Sequence, residues 1–139
     1  MDRTKLVDLL NEDLATELRS IVQYINHIAT IRGPEFAATV EELRAHLGQE
    51  VEHALTLAEQ IDFLEGQPET TVPAVGVATD ARDALQQDLE LEEEQLERYR
   101  QRTTEAEEAG LPDVAAALQP LLEQTQNHVR DLRAALEEG

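Results

Sequence analysis

Residues 40–64 read VEELRAHLGQEVEHALTLAEQIDFL, and this stretch decides the fold. With Phe36 just before them, Val40, Leu43, Leu47, Ala54, Leu57, Ile61 and Leu64 recur at spacings of three and four, the pattern of one apolar face of an α-helix. Glu50 and His53 fall in the middle of that face. An ionised carboxylate in an apolar core costs several kcal/mol unless something neutralises it. Three further stripes carry the same kind of interruption. They are Leu10, Leu14, Glu17, Ile21, Tyr24, Ile28 and Ile31; Leu85, Leu89, Glu92, Leu96 and Tyr99; and Val114, Leu118, Leu121, Thr125, His128, Leu132 and Ala135. Polar residues at matching depth on four helices imply a polar centre, and two divalent metal ions are its simplest neutraliser.

Turn residues divide the chain into four helices. The first is expected from about residue 4 to 32, ending at Gly33-Pro34, and the second from 35 to 65, ending at Gly66-Gln67-Pro68. Glu69 to Thr79 has no helical period. Thr79 or Asp80 caps a third helix that reaches Ala109, and Gly110-Leu111-Pro112 separates it from a fourth that continues to Glu137. Pro120 is expected to kink that helix. No strand and no internal repeat is apparent.

The two short joins force antiparallel hairpins. A helix of about 28 residues is roughly 42 Å long, and the central connection of about 14 residues reaches roughly 46 Å when extended. That connection is long for a turn and just long enough to run the length of a bundle. The fold class expected is therefore all-α, a four-helix bundle with a long crossover between the second and third helices, and one domain spanning residues 1–139. In it Glu17, Glu50, His53, Glu92 and His128 converge at one height.

Composition excludes several classes. The absence of cysteine removes disulfides, thiolate metal sites and a cysteine nucleophile. A net charge of −19 disfavours binding to nucleic-acid backbones. Acidic positions such as Glu90, Glu93, Glu94 and Glu97 read as solvated helix faces, as adaptation to high salt, or as a surface that attracts cations. Met1 to Lys5 opens without the apolar core of a signal peptide, and no segment suits a bilayer, so a cytoplasmic location without membrane attachment is expected. Val22, Ile25 and Ala29 lie partly outside the first stripe, and covering them calls for a homo-oligomer, at least a dimer.

Glu50 and His53 form Glu-x-x-His, three residues apart on one helical face, so both reach one volume. A carboxylate bridges two metals and an imidazole terminates one, a donor set that suits iron or manganese. His27 lies about 15 Å along the helix from Glu17 and reads as a surface or interface histidine. His46, about 10 Å before His53, reads as a solvated histidine or a transit ligand. Tyr24 and Tyr99 read as core aromatics whose hydroxyls meet a carboxylate, with redox activity of Tyr24 the alternative.

With these residues in place the chain resembles the ferritin-like superfamily, above all the bacterioferritins. Glu17-Leu18-Arg19-Ser20-Ile21-Val22-Gln23-Tyr24 is similar to their first-helix ligand segment. Glu50-Val51-Glu52-His53-Ala54 and Ile61 to Pro68 are similar to their second helix and its exit, and Asp88 to Glu92 to the third-helix segment. The resemblance implies that Glu17 and Glu92 are the outer and bridging-site carboxylates on opposite sides of a di-iron centre, with Glu50 and His53 between them and His128 as the fourth-helix histidine. It implies a ferroxidase: two iron ions per chain, with manganese possible, Fe²⁺ oxidised by O₂ or H₂O₂, and the product directed to iron storage or detoxification.

Three departures accompany the resemblance. Thr125 stands where the family's fourth-helix Glu is expected, so three carboxylates would face two M²⁺ ions unless another group compensates, Gln124 being the nearest. Val51 stands where the family's haem-ligating methionine would be, so no haem is expected. The chain stops at Gly139, without the short fifth helix that lines a symmetry axis of the large ferritin cages, so a 24-subunit shell is not implied and cage and dimer both stay open. A rubrerythrin-like peroxide scavenger and a non-catalytic metal-binding or structural module are the alternative functions.

Overall fold

Each helix ends where the sequence supplies the backbone geometry to stop it. In the computed structural model, which describes residues 1–138, α1 spans Arg3–Thr30, a 3₁₀ turn Pro34–Phe36, α2 Ala37–Phe63, α3 Ala81–Glu108 and α4 Pro112–Glu138. Asp2 caps α1 by accepting from the Thr4 N–H. Asp80 does the same for α3 through the Asp83 N–H. Gly110 (φ +77°) ends α3 in a Schellman turn, with the Leu111 N–H on the Ala106 carbonyl at 2.9 Å.

The end of α2 differs from expectation. The left-handed residue is Glu65 (φ 68°), one place before the glycine expected to stop the helix. Gly66 closes the turn by donating to the Ile61 carbonyl. A Cβ at Gly66 would lie 2.5 Å from Val7 Cγ1, so glycine is needed there for its missing side chain. Helix α1 also ends earlier than expected, because Ile31 is already extended and Gly33 adopts φ +106°. Helix α4 is continuous through Pro120. The carbonyl of Ala116 that proline leaves without a partner lies on the exposed side.

Partners across the helices give the topology. Going along α1, residues Asp13, Glu17 and His27 bond to Arg102, Tyr99 and Asp88 of α3, so the two helices run antiparallel. Residues His46, Gln49 and His53 of α2 likewise meet Asp131, His128 and Gln124 of α4 in descending order. Since α1 and α2 form an antiparallel hairpin, α2 and α3 are parallel, and residues 64–80 cross the length of the bundle. Asn11 anchors the start of this crossover by donating to the Gln67 carbonyl and accepting from the Glu69 N–H. Among the described residues no helix is long and apolar enough to cross a membrane.

The core is two apolar clusters with a polar layer between. Leu6, Leu10, Leu57, Ile61, Val114 and Leu118 fill one end. Leu43, Leu85, Leu89, Val129 and Leu132 fill the other. A second polar interaction lies inside the first cluster's flank. Arg102, only 2% exposed, grips the fully buried Asp13 through two bonds of 2.6 and 2.8 Å. At the equivalent place in the other half, Asp88 takes His27 Nδ1 on both oxygens at 2.9 Å.

These pairs expose an internal repeat that sequence inspection does not detect. One constant displacement along the chain carries Asp13 to Asp88, Glu17 to Glu92, Tyr24 to Tyr99 and His53 to His128. The second hairpin therefore reproduces the first about an approximate two-fold axis through the polar layer. Few surface residues match, so only the inward positions record it.

Removing one partner of a buried ion pair leaves an unpaired buried charge, which costs about 3–5 kcal/mol. Asp13→Ala is expected to lose that order of stability in urea denaturation, whereas the double replacement Asp13→Leu with Arg102→Met recovers most of it.

Candidate metal centre

Glu17 from α1, Glu50 and His53 from α2, Glu92 from α3 and His128 from α4 come together in the polar layer, each no more than 2% exposed. All five residues expected from the sequence therefore meet. Their donor atoms form two triads able to hold a cation, Glu17–Glu50–His53 and Glu50–Glu92–His128, with atoms within 4.8 Å of one another in each. Glu50 is common to both. Its Oε1 lies 3.1 Å from His128 Nδ1 and its Oε2 3.5 Å from His53 Nδ1, so one carboxylate spans the two halves.

The surrounding side chains orient every donor. Both histidines turn Nδ1 inward and donate their outer Nε2–H to a glutamine oxygen: His53 to Gln124 at 2.7 Å, His128 to Gln49 at 2.6 Å. A glutamine oxygen only accepts, so the proton sits on Nε2 and a lone pair is free at Nδ1 to bind a metal. Tyr99 donates to Glu17 Oε1 at 2.6 Å and Tyr24 to Glu92 Oε1 at 3.1 Å. Burial and the adjacent carboxylates push both phenols well above their usual range, so they remain donors.

Two atoms test whether the layer suits a metal. Glu17 Oε2 and His53 Nδ1, both in the first triad, are buried and have no hydrogen-bond partner. Buried acceptors are seldom left so, and a cation between them satisfies both. Burial, with Glu17 and Glu92 beside it, drives the Glu50 carboxyl well above its ordinary range. Burial opposes ionisation of Glu92 as well, but a bond from Glu50 and the adjacent His128 ring hold it below its usual value. Burial also opposes charging of His53, yet the Glu17 carboxylate beside it raises it.

Other side chains differ from expectation. Gln124 holds His53 from outside and does not point to the centre as a substitute ligand. His46 is buried rather than solvated: its ring stacks on His128 at 4.0 Å, Nε2 donates to Asp131, and Nδ1 lies 3.2 Å from the Tyr24 hydroxyl. His27, expected at the surface or an interface, is buried inside the bundle against Asp88. Sequence reading passed over Asp13 and Asp88. Their signal was available, since each lies four residues before a stripe glutamate and so on the same inward face.

A family model for the ferritin-like domain matches residues 7–139. The chain belongs to the ferritin-like family. Among curated proteins, this ferritin-like chain is 26% identical to a bacterioferritin of Desulfovibrio desulfuricans over 91% of its own length and 72% of the relative's. It is 25% identical to the Mycobacterium avium bacterioferritin over 96% and 84%. Among solved structures it is similar to a ferritin-like, diiron-carboxylate protein of Bacillus anthracis, with TM-score 0.92, 30% identity and coverage of 98% and 99%. The Rhodobacter capsulatus bacterioferritin, solved with a metal-free dinuclear site and haem iron, gives TM-score 0.87 at 26% identity over 99% and 86%.

Because the Glu50 carboxyl and the His53 ring are both raised, each carries more proton in the metal-free protein than an ordinary side chain would. A cation must displace those protons. Mn²⁺ binding is therefore expected to release protons, to tighten as pH rises from 6 to 8 (about, by the same linkage), and to raise the melting temperature. Calorimetry in buffers of different ionisation enthalpy measures the release.

Proposed function

We propose that this chain is a haem-free cytoplasmic ferritin-like protein that binds two Fe²⁺ in the polar layer and oxidises them for storage or detoxification. The observation that carries the reading is the pair of buried triads sharing Glu50. Two cations held by one carboxylate sit side by side, and each triad leaves coordination positions open for an oxidant. Ferrous iron is the substrate. Each ion gives up one electron, and the pair reduces O₂ to H₂O₂, or H₂O₂ to two waters, with uptake of two protons. Manganese suits the same donor set.

In this reading Glu17 and His53 complete one position, and Glu92 and His128 the other. Gln49 and Gln124 keep the imidazole lone pairs inward, while Tyr24 and Tyr99 fix the terminal carboxylates. The apolar clusters on both sides keep bulk water from the pair. Val51, about half exposed on α2, offers no donor atom to haem iron. A homo-oligomer belongs to the same reading. Ile25 on α1 and Val51, Leu55 and Phe63 on α2 are large, apolar and 47–63% exposed, and a second copy would cover them.

Anaerobic titration with Fe²⁺ followed by air tests this reading. Saturation is expected at about two irons per chain, with ferric absorbance on oxygenation. Glu50→Ala is expected to lose both sites, and Glu17→Ala or Glu92→Ala one each. Uptake of two irons by Glu50→Ala overturns the shared-carboxylate assignment. Turnover with peroxide alone favours the scavenger alternative.

A further inference from the structure

The two halves of the centre correspond residue for residue except at one ligand position. Glu17 and Glu92 each take a bond from a tyrosine of the facing helix. His53 and His128 each present Nδ1 inward and donate Nε2–H to Gln124 and Gln49. Those glutamines also correspond, and each precedes the next inward position in its helix. On α2 that position is Glu50; on α4 it is Thr125. Thr125 is fully buried, and its hydroxyl donates to the Leu121 carbonyl at 2.7 Å. It brings no charge, and its donor proton is already used.

The charges at the centre do not balance without a further group. Glu17, Glu50 and Glu92 supply three negative charges, the two histidines are neutral ligands, and two divalent ions bring four positive charges. A buried net positive charge is unfavourable, and neither glutamine is free to offset it. A glutamate side chain is longer than threonine's by about a carboxylate, so the counterpart of Glu50 is lacking in both charge and volume.

We propose that the centre, at the position where Thr125 replaces a counterpart of Glu50, takes up a small oxygen-donor monoanion, a formate-sized carboxylate or hydroxide from water, in place of the missing carboxylate. The second metal ion then binds tightly only together with this anion. This inference rests on the dinuclear reading above. It makes Thr125 the residue that gives the centre its anion requirement, and it adds an exchangeable ligand that a fully carboxylate-lined site would not take.

Calorimetric titration with Co²⁺ at fixed pH, in sodium formate or in perchlorate of equal ionic strength, tests it. In perchlorate the wild type is expected to bind one ion tightly and a second at least about tenfold more weakly, with formate removing that gap. Thr125→Glu is expected to bind both ions tightly with no formate dependence. Thr125→Val, close to threonine in size and equally uncharged, retains the dependence. If hydroxide is the anion, formate has no effect, and between about pH 6 and 8 the second ion gains affinity more steeply in the wild type than in Thr125→Glu. Two tight sites in formate-free wild type across that pH range, with no gain in Thr125→Glu, overturn the proposal and leave the dinuclear reading intact. Absence of Co²⁺ binding in wild type and variants alike overturns the dinuclear reading itself. Should Thr125→Glu fail to fold, the formate and pH series on the wild type decide alone.

Discussion

Three carboxylates buried within one layer of a helical bundle are the constraint on which the rest of this structure depends. Glu17, Glu50 and Glu92 are each nearly inaccessible to water, and like charges at this range repel strongly in a low-dielectric interior. The metal-free protein eases that repulsion by keeping a proton on Glu50 and by aiming donors at the other two. Tyr99 and Tyr24 are those donors. The tyrosines remain protonated because the same burial makes their ionisation unfavourable. A divalent cation would relieve the repulsion more completely than a proton, which is what makes the layer a candidate metal centre.

The approximate two-fold relation between the hairpins explains how so much polarity is tolerated. Apart from Glu50, each half contributes one glutamate, one tyrosine, one histidine and one glutamine, and each of these is completed by the opposite half. One hairpin therefore cannot satisfy its own polar groups, and the pairing across α1–α3 and α2–α4 is selected over other ways of docking two hairpins. The flanking pairs Asp13–Arg102 and Asp88–His27 use the same device a turn away from each glutamate. Where the relation lapses, at Glu50 against Thr125, the centre becomes unequal. A second lapse, His46 against Leu121, puts a buried imidazole between Tyr24 and the partly exposed Asp131 on one side only.

Helix boundaries and the crossover were legible because they follow from local chemistry. Gly-Pro and Gly-Leu-Pro punctuation, capping Asp80 and the length of the unpatterned segment need no knowledge of distant contacts. The five candidate ligands were legible for a related reason, since a charged residue on an apolar stripe conflicts with its surroundings in any fold. His46, His27 and Gln124 were misplaced because spacing along one helix says nothing about the partner it meets. His27 finds Asp88, His46 finds Asp131, and Gln124 finds His53 only once the hairpins are docked.

The sequence by itself determined that four amphipathic helices must pack with polar residues at their centre, because periodicity and the cost of burying charge are properties of the chain alone. Only the tertiary structure decided which atoms meet. It made Glu50 the carboxylate shared by both triads, turned Gln124 to the outer face of His53, and tied the Thr125 hydroxyl to its own helix. The reason is physical: ligand geometry depends on the relative height and rotation of helices far apart in sequence, and those are set by packing of the two apolar clusters on either side.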